Sequence, residues 1–97
     1  MNNLFVHFNG INASNENRTF IENCFQTIFH LSPSDSSVTF NFFKTNDGYS
    51  GRILIVSQAK IFEAECDEDS LKGVMQGLSR KVHQQLSEWK NDRFEIA

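Results

Sequence analysis

The chain is short of the features that announce a catalytic or membrane-bound protein. It has one proline, one tryptophan and two cysteines in 97 residues. Cys24 and Cys66 lie far apart and neither belongs to a C-x-x-C pair. No redox or zinc motif is present, and the two are expected to be reduced, buried thiols acting as small core hydrophobes. Nowhere do 18 apolar residues run together, and Met1-Asn2-Asn3-Leu4 lacks the basic and apolar regions of a secretory leader. A cytoplasmic protein without a membrane partner is expected. The G-x-S-x-G, G-x-x-x-x-G-K, G-x-G-x-x-G and H-E-x-x-H patterns are missing. His7, His30 and His83 fall on different elements without ligand spacing, so no metal, no cofactor and no catalysis are expected. Positive charge is also scarce: nine Lys and Arg stand against twelve Asp and Glu, a net charge of −3. Any polyanion must therefore be held by a local patch.

What is present is enough apolar material for one fold. Hydrophobic residues make up 39% of the chain, ten of them Phe, and the length suits a single domain over residues 1–97. Leu4 to Phe8 reads as a strand stopped by Asn9-Gly10. Ser14 or Asn15 can cap a helix in which Phe20, Ile21, Cys24, Phe25, Ile28 and Leu31 form one face, ended by Ser32-Pro33. Val38 to Lys44 and Gly51 to Ser57 make a hairpin across Thr45-Asn46-Asp47-Gly48. A further strand, Lys60 to Cys66, alternates Phe62, Ala64 and Cys66 with Ile61, Glu63 and Glu65. Ser70 then caps a long helix with the stripe Leu71, Val74, Met75, Leu78, Val82, Leu86 and Trp89. The acidic Asp67-Glu68-Asp69 complements that helix's positive end. The order β-α-β-β-β-α predicts an α+β two-layer sandwich, a four-stranded sheet with both helices on one face. Gly73 and Gly77 are expected to pack closely against the first helix.

Charge is unevenly placed along the chain. Residues 70–94 carry five Lys and Arg against two Asp and Glu, whereas residues 1–66 carry four against six. At 100° per residue, Lys72, Gln76, Arg80, His83, Ser87 and Lys90 share a sector opposite the apolar stripe, with Lys81 on the Gly77 flank. Such a ridge suits phosphates: cations supply charge, and Gln, Ser and His add donors that fix register. The candidate nucleic-acid-binding set is therefore Lys72, Arg80, Lys81, His83 and Lys90, with Gln76 and Ser87 as auxiliary donors.

The segment Leu71 to Lys90, LKGVMQGLSRKVHQQLSEWK, resembles the last helix of ribosome hibernation-promoting factors and related ribosome-associated inhibitors. Gly77-Leu78, Lys81-Val82, Gln85-Leu86 and Lys90 fall in matching register. The element order, Gly10 after the first strand and the Arg18, Phe20, Ile21, Phe25 and Ile28 pattern agree over essentially the whole chain. The resemblance implies a short-form factor that binds ribosomal RNA of the small ribosomal subunit and stops translation reversibly under stress. A second reading uses the same fold as a protein-interaction or dimerisation module. Phe5, Phe43 and Ile61, together with Ile53-Ile55 or Leu54-Val56, would form an apolar patch on the open sheet face, where a homodimer could assemble.

Overall fold

The computed structural model describes residues 3–33 and 35–95, with side chains described as far as 91. The elements are β1 (Asn3–Asn9), α1 (Asn15–Leu31), β2 (Ser37–Lys44), β3 (Tyr49–Val56), β4 (Ile61–Glu68) and α2 (Leu71–Glu95). The sheet order is β1-β2-β3-β4. β1 runs parallel to β2, and the other pairs are antiparallel. This is the expected α+β arrangement. α1 makes the crossover that a parallel pair requires, and the tight turn at 45–48 is closed by Thr45 N–H on the Gly48 carbonyl at 2.9 Å.

Helix boundaries follow local chemistry. Ser14 Oγ accepts from the Asn17 amide at 3.1 Å, and Ser70 Oγ accepts from Gly73 at 3.0 Å. Each satisfies a first-turn N–H that the helix cannot bond itself. α1 ends where Ser32 donates from both its amide and its hydroxyl to the Ile28 carbonyl, just before Pro33. β4 runs two residues further than its alternation suggests, through Asp67 and Glu68, because both still pair with β3 at Ser50 and Tyr49.

Register decides which side chains are buried. Phe40, Phe42, Ile53, Ile55, Phe62 and Ala64 face the helices and meet Ile21, Phe25 and Ile28 of α1 and the Leu71-to-Leu86 stripe of α2. Phe8 stacks on Phe42, and Phe40 on Phe42, with ring centroids 5.5 and 5.9 Å apart. The open choice in β3 is thereby resolved: Ile53 and Ile55 are in the core, while Leu54 and Val56 look out beside Glu63 and Ile61.

Two expectations need correction. The glycine flank of α2 does not meet α1. A Cβ at Gly77 would collide with Cys66 Sγ on β4, and one at Gly73 would press on Ser70 and Glu68. The first helix lies on the opposite flank of α2, which carries Ser79 and Lys72. The cysteines are free, as expected, but half-buried rather than fully enclosed.

Candidate nucleic-acid interface

β1, β2 and β4 share one direction, and each helix returns against it, so α1 and α2 lie side by side and parallel. Contacts climb the pair in step: Glu16 and Phe20 meet Lys72, and Cys24 meets Ser79. Burial pushes the Cys24 thiol above its ordinary range, against a smaller pull from its hydrogen bond with Ser79. Both positive dipole ends therefore sit at the Ser14–Ser70 end of the molecule, among Glu16, Asp67, Glu68 and Asp69.

α2 divides into three strips. Its core strip is buried from Leu71 to Leu86 and half-buried at Trp89. Beyond Ser79, on the α1 side, lie exposed Lys72, Gln76, Arg80 and His83 and half-buried Ser87 and Lys90. Lys72 to Lys90 spans about 27 Å at 1.5 Å per residue. Lys72 sits 3.8 Å from Glu16 and 5.2 Å above the Phe20 ring. Its carboxylate partner is largely exposed, so the pair holds it loosely. Among the described residues, Arg80 and Lys90 have no carboxylate partner. The facing surface of α1, with exposed Thr19, Asn23, Thr27 and His30, carries no Lys or Arg.

Lys81 belongs to the third strip, on the β4 side. Its Nζ donates to the Glu65 carbonyl at 2.6 Å, and Gln85 Nε2 donates to the Glu63 carbonyl at 2.8 Å. Both carbonyls face the free edge of the sheet. The five candidate side chains are thus not one cluster: Lys72, Arg80, His83 and Lys90 share a ridge, and Lys81 is clipped to the edge strand behind it.

The open sheet face is also as expected in outline. Phe5, Phe43 and Ile61 are exposed at 49, 44 and 59%, and Val56 joins them at 42%. Arg52 lies between the carboxylates of Glu63, at 2.8 Å, and Glu65, at 3.6 Å. Those two carboxylates, Glu63 foremost through its hydrogen bond, hold the guanidinium still more firmly charged. All three groups are solvent-exposed, and Arg52 and Glu65 line a shallow hollow with Asn41, Phe43 and Ser50. Among the described residues no group of His, Cys, Asp and Glu is placed to hold a metal ion, and no helix is long and apolar enough to cross a membrane.

Solved structures are similar over nearly the whole chain. A ribosomal subunit interface protein from Coxiella burnetii matches with a TM-score of 0.77 at 16% identity, covering 92% of this chain and 98% of its own. The N-terminal domain of Protein Y from Thermus thermophilus matches with a TM-score of 0.77 at 9% identity, covering 92% of this chain and 99% of its own. The chain has their fold. No family model and no curated protein matches the sequence.

Within this shared fold, three features escape a reading of one helix at a time. The Lys81–Gln85 clip depends on which strand lies under that flank. Arg52 is paired with Glu63 and Glu65 only through the β3–β4 register. Arg18 lies 5.0 Å over the Phe8 ring, a contact between distant segments. The alternation of Glu63 and Glu65 opposite an apolar strand with one Arg was the available signal for the second of these.

Proposed function

We propose that this chain is a cytoplasmic, non-enzymatic ribosome-associated factor that holds RNA of the small ribosomal subunit with the outer ridge of α2 and so inhibits translation reversibly, in the manner of stress-induced hibernation. The observation that carries this reading is the side-by-side helix pair with Arg80, His83 and Lys90 directed outward along one of its faces. One of the similar structures is a ribosomal subunit interface protein, which supports a ribosomal partner. A rigid helix face with cations at intervals suits folded RNA, which is recognised largely through backbone and shape.

Roles divide by position. Arg80 and Lys90 are the primary phosphate contacts, because no carboxylate among the described residues competes for them. Lys72 joins by exchanging the exposed Glu16 for a phosphate. Gln76, His83 and Ser87 donate between these cations. Lys81 reaches RNA only by giving up the Glu65 carbonyl, so its contribution is the smallest of the set. The test is co-sedimentation with purified small ribosomal subunits at low salt. The wild type pellets with the subunit, Arg80→Glu with Lys90→Glu abolishes pelleting, and Lys44→Glu, remote on the sheet, leaves it intact. Absence of pelleting by the wild type, or full retention by the double variant, contradicts the proposal.

The exposed Phe5, Phe43, Val56 and Ile61 favour a second reading, in which the open sheet face is a protein-interaction surface. It predicts association that Ile61→Asp abolishes and the α2 charge reversals leave unchanged.

A further inference from the structure

The three histidines of the chain are divided between the two layers. His7 is exposed on the open face of the sheet, in register with Asn41 and Arg52. His30 and His83 are exposed on the helix layer. His83 stands between Arg80 and Lys90 on the α2 ridge. His30 is in the last turn of α1, at that helix's negative end and on the side away from buried Ile21, Phe25 and Ile28. Both helices rise about 1.5 Å per residue, so the meeting of Cys24 with Ser79 brings Ile28 level with His83 and places His30 about 3 Å further along. The two histidines therefore flank the outer furrow between the helices at nearly one height.

Their surroundings are cationic or neutral. On α2, Arg80 comes one turn before His83 and Lys90 two turns after it. Glu88 lies toward the β4 flank, where Gln84 Nε2 donates to it at 3.3 Å. On α1, Gln26 and Thr27 adjoin His30, Glu22 lies two turns back in the groove over β1, and Glu16 is at the far end beside Lys72. Asp35, in the link to β2, is the acid nearest His30 along the chain. Its carboxyl is held below the ordinary range by the hydrogen bond and the charge of the chain's amino terminus. Among the described residues no ion pair includes His30 or His83.

We propose that RNA binding by this side of the molecule is proton-coupled, with His30 and His83 each taking up a proton as it meets a phosphate. The inference rests on the α2 ridge being the RNA-binding surface. Histidine is the side chain whose charge changes between about pH 5 and pH 8. A phosphate favours the imidazolium, because a charged donor holds it about twice as strongly as a neutral one. By linkage, affinity rises as pH falls and levels off once both rings are charged in the free protein. Scarcity of fixed charge makes the effect large. The ridge has Lys72, Arg80 and Lys90, the first already beside Glu16, so two imidazoliums nearly double the positive charge that a row of phosphates meets. On a surface crowded with Lys and Arg the same two protons would be a minor addition. His30 is also the one group through which the exposed surface of α1 beside the ridge, otherwise Thr19, Asn23 and Thr27, can become positive.

The test measures dissociation constants of the full chain on purified small ribosomal subunits from about pH 8 to about pH 6 at fixed ionic strength, with the salt slope taken at both ends. Wild-type binding tightens roughly tenfold toward the acid end. Over the same range the slope of log K against log salt concentration steepens by roughly 0.7–0.9 for each histidine. His30→Gln with His83→Gln keeps a neutral donor at each place and removes both changes. Each substitution alone removes about half of the steepening, and His7→Gln, on the sheet, keeps both changes in full. Wild-type binding that is indifferent to pH overturns the proposal and leaves the ridge assignment standing. So does a pH response that survives in the double variant or is lost with His7→Gln. Absence of binding at every pH overturns the proposal together with the ribosomal reading.

Discussion

A methyl group at position 77 would take the space of the Cys66 sulfur, and that single crowding explains a glycine in the middle of a long helix. Gly77→Ala gains about 1 kcal/mol of helix propensity but overpacks the α2–β4 contact, where such insertions cost about 1–3 kcal/mol. Net destabilisation in urea titration is expected. In a Cys66→Ala background the nearest remaining atom is the residue-66 Cβ at 3.4 Å, an ordinary contact. There Gly77→Ala becomes neutral or stabilising, and a cycle showing no coupling between the two sites would contradict this packing. Cys24 makes the second prediction at this scale. Its folded-state pKa is raised, chiefly by burial, so the folded protein holds its proton more tightly than the unfolded chain does. The resulting stability is complete below the ordinary thiol pKa and is lost as pH rises through the folded value. Alkaline melting should show a loss of stability above about pH 9 that Cys24→Ala removes.

Secondary elements were legible wherever a local rule fixes them. Ser14, Ser70 and Ser32-Pro33 mark helix ends through hydrogen bonds within a few residues, and the Thr45-to-Gly48 turn is equally local. What a neighbour across space decides was not legible. The run Ile53-Leu54-Ile55-Val56 has no polar residue to break its alternation, so only pairing with Phe62 and Glu63 assigns its faces. The direction of the Gly73–Gly77 flank and the capture of Lys81 by the Glu65 carbonyl both depend on which element lies beside α2, and helical periodicity contains no such information. The ridge itself was legible, because Lys72, Arg80, His83 and Lys90 follow from helix angle alone. The Lys81–Gln85 clip has a consequence for the element it guards. Lys81→Ala with Gln85→Ala should cost about 1 kcal/mol per exposed bond or less and hasten amide exchange along the outer edge of β4. Unchanged exchange there would show that the clip does not shield the strand.

For the molecule as a whole, a net charge of −3 discourages contact with a polyanion, yet the acidic groups of the sheet lie away from the ridge, where Glu16 stands beside Lys72. Glu63, Glu65 and Asp67 lie on the open face and free edge of the sheet, and Arg80 and Lys90 look outward from the helix layer on the other side. The fold thus gives a net acidic protein one side on which phosphates are not repelled, at the expense of few cations to hold them. α1 contributes none to that side. Under the proposed function, affinity for small ribosomal subunits should accordingly be modest and strongly dependent on salt, with each neutralised phosphate adding roughly 0.7–0.9 to the slope of log K against log salt concentration. The most direct measurement is that slope for binding to small ribosomal subunits. Three to four cations predict a value of roughly −3, falling by about one unit for Arg80→Gln. Binding that is insensitive to salt, or a slope that Arg80→Gln leaves unchanged, would contradict the assignment of the α2 ridge as the RNA-binding surface.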